Sequence, residues 1–436
     1  MSDENRPKIV IVGGGFGGLT AAKELAKHEV KVTLIDKNNY HVFVPMLYQV
    51  AAAEIDSHDI IYPLRDIFST WDHVSFKLGA VNNIDLDGKV VKSDGKEYPY
   101  DYLIVAAGST SNFFGISGAI EHSFPLKNME QSIVLRNHVI CNYEQADQTN
   151  DPEVRKKLLT FVIVGGGATG VEFAGALSEL LRGPVRTDFP SIDYEKEVKI
   201  VLVDALKSSV PFMPDRLQNY TNEKLQEMGV ELHFNKMVTE ITPDKVSFKD
   251  GSSIDTKTVV WTAGVQGNIA ASDWNLPVGR GGRIAVNEFL QLPDRPEVYI
   301  VGDLAAVTDF KTEKPIPMVA TAAIQEGTHA ARNIVKDANK YRKKPFVYND
   351  KGQMVVIGRN RGIALIKGRQ FNGFIAWMLW MVVHIYFLIG FKNKLLVIIS
   401  WAWDYISFQR LGRTIFPALK KEPEDGYNAS CDCGKN

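Results

Sequence analysis

Cysteine is scarce: Cys141, Cys431 and Cys433 are the only three in 436 residues. That scarcity excludes a disulfide framework and points to a reducing compartment. No Cys-x-x-Cys or Cys-x4-Cys follows the first glycine-rich turn, so a dithiol relay to a disulfide substrate is not expected. The pair Cys431 and Cys433 offers two thiols, too few for a zinc site, and is read as part of an irregular tail. No metal site is expected. Charge of one sign is missing as well. Lys and Arg total 50 against 51 Asp and Glu, for a net charge of −1, so no basic field invites nucleic acid. Low-complexity sequence is absent. An apolar leader does not fit ahead of a first strand expected at about Lys8. What remains is 45% hydrophobic residues, enough for two to three domains with real cores.

Two glycine-rich turns stand out. The first closes the apolar run Lys8–Val12 with Gly13, Gly15 and Gly18; the second closes Phe161–Val164 with Gly165, Gly167 and Gly170. Both read strand, G-x-G-x-x-G, helix. The first glycine makes the tight turn, the second lets backbone approach a pyrophosphate, and the third lets helix pack on strand. One match is weak evidence; two, each behind a β-branched strand, point to a flavin and a nicotinamide nucleotide in one chain. An acid follows each unit on a second strand. Asp36 lies 18 residues beyond Gly18, the spacing of a ribose-binding carboxylate. Asp204 lies 34 beyond Gly170, with the polar stretch 182–197 read as a lengthened crossover. A carboxylate there repels a 2′-phosphate, so NADH is expected over NADPH.

The strand-like runs Tyr102–Val105 and Val259–Trp261 each end in small residues, at Gly108 and Gly264, where backbone can pass close to a nucleotide. Val298–Val301 ends in Gly302-Asp303. The fold expected is α/β, with two Rossmann-like dinucleotide-binding domains and a C-terminal helical membrane-anchoring region. An FAD domain is assigned to residues 1–115 and 281–340, an inserted NADH domain to 116–280, and the anchoring region to 341–436. Asp87-Gly88, Asp94-Gly95 and Asp250-Gly251 signal hairpins.

Gly373–Phe391 is a 19-residue apolar run whose one ionisable group is His384. At about 1.5 Å per residue it is just long enough to span a bilayer core. A shorter run, Leu395–Trp403, follows Lys392 and Lys394. A buried core helix and a single span remain open. A pair of helices lying in one leaflet is favoured, because basic residues flank the run on both sides and aromatics spread along it instead of gathering at its ends.

Together these pieces resemble the type II NADH dehydrogenases, single-subunit NADH:quinone oxidoreductases that do not pump protons, within the two-dinucleotide-domain flavoproteins. The resemblance runs to about Pro417. It rests on both fingerprints, the Gly302-Asp303 pair, the stretch His41-x-Phe43-x-Pro45-Met46-Leu47-Tyr48-Gln49, the segment Ala320 to Gly327 and the Trp-rich end. It implies that Gly13, Gly15, Phe16, Gly18, Asp36, Lys37, Pro45, Gly108, Gly302 and Asp303 hold FAD. It implies that Gly165, Gly167, Gly170, Asp204 and Gly264 hold NADH. Glu172 is implied in proton coupling and Gln325 in quinone orientation. The family's segment usually reads Ala-Gln-x-Ala-x-Gln. Here Thr321 replaces its first glutamine, and a hydroxyl can still hydrogen-bond a quinone carbonyl. The partners implied are NADH, a membrane quinone (ubiquinone or menaquinone) and the bilayer, at the cytoplasmic side of the cell membrane as a peripheral or monotopic protein, with a homodimer left open. A reductase of a protein electron carrier such as ferredoxin or rubredoxin is the alternative. It would not need the Trp-rich tail. A sulfide:quinone oxidoreductase would need paired cysteines.

Overall fold

The computed structural model describes residues 6–410 and 412–415. Cys431, Cys433 and the segment from Pro417 onward lie outside them. The chain divides into two compact units. The first holds Met1–Val42, Ile61–Thr110 and Val265–Lys351; the second holds Phe43–Ile60, Ser111–Gly264 and Gly352–Asn436. The second unit takes in 111–264, which overlaps most of the 116–280 segment assigned to NADH from sequence. The short stretch 43–60 and the C-terminal region group with it.

In the first unit a six-stranded sheet runs Gln291–Leu292, Arg295–Ile300, Tyr102–Val105, Lys8–Val12, Lys31–Asp36, Val74–Leu78. Only the Gln291–Leu292 edge is antiparallel. Ile11 pairs with Leu34 on one side and Ile104 on the other. Ile9 to Val12 are all buried, which is why this strand reads as a continuous apolar run with no polar face. Helix Phe16–Leu25 crosses helix Ala320–Ala338 at glycines. A Cβ on Gly327 would lie 2.1 Å from the Gly17 carbonyl oxygen, so only hydrogen fits between the two backbones.

The second unit carries a parallel sheet ordered Phe124–Pro125, Thr258–Trp261, Thr160–Val164, Lys199–Val203, Val230–His233. Its core joins Val162, Val201, Val259 and Trp261 to Val238, Val246 and Phe248 of a small antiparallel layer. The stretch expected to lengthen the crossover does so. After helix Ala168–Leu180 the chain makes a wide turn over Leu181–Val185, broken at Gly183, and two short helical turns before Lys199. All three hairpin signals sit between paired strands.

The C-terminal region is not helical throughout. Gln353–Gly358, Arg361–Ile366 and Arg369–Gly373 form an antiparallel sheet, which packs on helix Ala168–Leu180 where Gly175 lies under Ile357. The apolar run then breaks. Helix Phe374–Phe387 ends at Leu388, which is extended, and Gly390 (φ 85°) starts helix Phe391–Ser407. Among the described residues no helix is long and apolar enough to cross a membrane. The single-span reading is therefore not supported. The core-helix reading fails too, since Ile375, Val382 and Tyr386 are 61%, 61% and 73% exposed. Cys141 is buried in helix Met129–Gln148.

Candidate functional site

The two glycine turns are built alike. Gly13 (φ 102°) and Gly165 (φ 111°) occupy backbone conformations that side chains disfavour, and a Cβ at either would strike the facing strand end, at Ala106 or Ala263. A Cβ on Gly18 or Gly170 would lie 1.9 Å from the carbonyl oxygen of Gly13 or Gly165. At Gly15 and Gly167 a Cβ would meet nothing within 4 Å. These two positions open onto space at the start of a helix, where backbone N–H groups and the dipole favour a phosphate. The residues present therefore fit two dinucleotides.

The acids match as closely. Gly14 N–H donates to Asp36 and Gly166 N–H donates to Asp204, each at 2.5 Å. The second oxygen of each accepts a further N–H, from Asn38 or Leu206, at 2.7 Å. Asp204 thus stands to the second turn as Asp36 stands to the first, despite its late place in sequence. Lys37 is exposed beside Asp36. Phe16 packs edge-on against buried His41, whose Nδ1 lies 2.9 Å from the Gly14 carbonyl oxygen. Gly108 (φ 72°) is open on its Cβ side. Gly264 is shielded by Phe114. Asp303 follows strand Arg295–Ile300 in the first unit and accepts a hydrogen bond from the Ser109 hydroxyl.

Pro45 lies in the turn Val44–Met46, which leads into helix Leu47–Ala51. That helix presents Tyr48 and Gln49 to a cleft of about 510 Å³ within the second unit. Glu172, on the first turns of helix Ala168–Leu180, lines the same cleft. It is buried, and one oxygen accepts from Trp380 Nε1 at 3.2 Å and from Val356 N–H at 3.4 Å. Burial pushes its carboxyl up to about 8 despite those two donors. Trp380 stacks on His384 at 3.8 Å, and Trp401 donates to Gln49 at 3.2 Å. The C-terminal helices therefore close one side of the cleft with tryptophans.

Gln325 is placed differently from expectation. Its amide nitrogen donates to Asn349 O and its oxygen accepts from Asn349 N–H, both at 3.0 Å, so both ends are engaged by backbone. Thr321 sits 3.3 Å from the Tyr348 hydroxyl. Sequence reasoning missed three groups. Glu326 is buried, accepts Gly302 N–H at 2.6 Å and is raised by burial to about 7. Glu54 is raised by burial to about 7, with Arg410 opposing and Glu179 and Asp404 adding. Arg410, 2% exposed, pairs with Glu179 at 2.9 Å and donates to Ala176 O at 2.7 Å. Only the approach of acids to apolar runs hinted at these in sequence.

A model of the pyridine nucleotide-disulphide oxidoreductase family matches residues 7–327. Two Mycobacterium tuberculosis proteins, both type II NADH:quinone oxidoreductases, are similar over most of the chain. Ndh is 38% identical and covers 94% of this chain and 90% of its own; NdhA is 35% identical and covers 93% and 88%. The solved structure of NDH2 from Plasmodium falciparum in complex with NADH shares the fold, with a TM-score of 0.87 at 18% identity over 94% of this chain and 100% of that one. Paired fingerprints with matching acids, and relatives at 35–38% identity over about nine-tenths of both chains, leave one assignment: the chain belongs to the type II NADH:quinone oxidoreductases.

Proposed function

We propose that this chain carries out its family's reaction, NADH oxidation coupled through FAD to quinone reduction, at the residues described above. The first unit holds FAD with Gly13, Gly15, Gly18, Asp36 and Asp303. The second holds NADH with Gly165, Gly167, Gly170 and Asp204. Bound FAD supplies a two-electron carrier between nicotinamide and quinone. The protein's own part is to orient the nucleotides by the two turns, select NADH with Asp204, and hold a proton on Glu172.

The observation that carries this reading is the position of Glu172. It lies directly after the second fingerprint, in a cleft roofed by Trp380 from the apolar C-terminal helices. Those helices expose an apolar stripe along each outer face, Ile375, Val382 and Tyr386 on one, Phe391, Leu395, Ile399 and Ile406 on the other. Such faces, next to Lys392 and Lys394, suit a pair of helices lying in one leaflet of the cytoplasmic membrane face. A lipid quinone concentrated there has a short path to the cleft. The Gln325 amide is engaged with Asn349 and the Gln49 amide with Trp401 and Glu54, so quinone orientation falls first to the Tyr48 hydroxyl in the cleft. The test is anaerobic: NADH should bleach the flavin of the purified protein, and a short-chain quinone should restore its colour. Glu172→Gln should slow the second step more than the first. Equal slowing of both steps contradicts the role given to Glu172.

A further inference from the structure

Reduction of quinone by NADH consumes one proton from solution: NADH, a proton and quinone give NAD+ and quinol. The hydride brings two electrons and one hydrogen, and the second hydrogen on the quinol must enter the protein. Glu172 is buried, so something must resupply it. The cleft it lines also carries Glu54 and Glu179. The side chains of Glu179 and Glu54 are 26% and 17% exposed, while Glu172 is buried; Glu179 is held by Arg410 at 2.9 Å, which leaves Glu54 as the carboxyl better placed to take a proton from solution. Glu54 follows the helix Leu47–Ala51 and accepts from Gln49 Nε2 at 3.2 Å; the same nitrogen lies 3.2 Å from the Tyr48 hydroxyl. Carboxyl, amide and hydroxyl groups line the cleft beside its apolar walls, and it has room for a bridging water.

We propose that Glu54 is the entry point for the solution proton, handing it across the cleft to Glu172, which delivers it to the reacting quinone. The inference rests on the function proposed above and adds a second proton-carrying residue to it. The groups that face Glu54 are Arg410 and Arg359 on the positive side, and Glu179, Asp404, Glu172 and Tyr48 on the other. Arg410 is 4.0 Å from Glu54 but 2.9 Å from Glu179, so Glu54 is not its main partner and can lose its charge without stranding the guanidinium. Burial and the neighbouring acids bring the Glu54 carboxyl to about 7, where it exchanges a proton readily at neutral pH.

The test compares the holoenzyme with its Glu54→Gln, Glu54→Asp and Glu172→Gln forms by stopped-flow. Flavin reoxidation by a short-chain quinone is followed against pH and in D₂O, beside reoxidation by ferricyanide, which takes electrons without protons. Infrared difference spectra report the protonated carboxyl directly. Glu54→Gln should slow quinone-driven reoxidation by about tenfold or more and remove a carboxyl band, while ferricyanide-driven reoxidation changes far less. Glu54→Asp should restore part of the rate with a shifted pH profile. Unchanged quinone kinetics in Glu54→Gln, or equal slowing with both acceptors, would overturn the proposal. If Glu172→Gln is slowed and Glu54→Gln is not, this inference alone fails; if neither is slowed, the reading of Glu172 fails with it.

Discussion

Desolvation raises the Glu172 carboxyl to about 8 from an ordinary 4.5, because its two hydrogen-bond donors replace only part of the water it loses. A carboxyl raised on folding favours the folded state while protonated. That contribution is complete below about 4.5 and is lost as pH rises through about 8. Glu172→Gln removes the loss, so the variant should gain on the wild type in unfolding free energy between pH 6 and pH 9, by on the order of a few kcal/mol at most, read as a rise in melting temperature. No gain at high pH would mean that the carboxyl is not desolvated. Asp204 makes a second prediction at this scale. Both its oxygens hold backbone N–H groups, so alanine would damage the turn as well as the charge. Asp204→Asn keeps an acceptor and removes the charge. It should narrow the preference for NADH over NADPH by about tenfold, read from flavin-reduction rates with each cofactor.

At the scale of elements, Gly170→Ala is the sharpest probe, since its Cβ would lie 1.9 Å from the Gly165 carbonyl oxygen. It should cost about 1–3 kcal/mol or more and abolish NADH binding while flavin absorbance persists, because Gly170 belongs to the second unit alone. The two turns were legible in sequence because their geometry is local: three glycines and an apolar strand suffice. Asp204 was legible as an acid but not by spacing, since the crossover at Leu181–Val185 inserts turns that no period reveals. The sheet Gln353–Gly373 was missed; its turn signals were Asn360 and the Lys367-Gly368 pair, all at positive φ. The break of the apolar run at Leu388–Gly390 rests on a single glycine amid uniformly apolar residues, too weak a signal to place a helix end. Arg410 and Glu54 could not be paired from sequence because they meet only through the cleft. Residues on the exposed stripes should govern lipid affinity alone. Val382→Lys and Ile399→Lys should weaken binding to vesicles with little change in melting temperature, and a large fall in melting temperature would place those faces against protein.

The whole molecule joins nucleotide chemistry to an apolar surface, and in the second unit the join is physical. Trp380, Trp401 and Arg410 reach from the C-terminal segment to Glu172, Gln49 and Glu179. Deleting everything beyond about residue 370 therefore removes the walls of the cleft along with the exposed apolar helices. Point changes on the outer stripes are the cleaner test of whether those helices bind lipid. Trp380→Ala should cost about 3–5 kcal/mol, and it should slow quinone-driven reoxidation of the flavin more than its reduction by NADH. The central claim is that electrons pass from NADH through one bound flavin to quinone. Anaerobic stopped-flow on the purified protein tests it most directly. The account predicts that NADH bleaches the flavin within the turnover time and that a short-chain quinone then restores its absorbance at a rate matching steady-state turnover. Flavin that bleaches but is reoxidised only by ferredoxin or rubredoxin would contradict it.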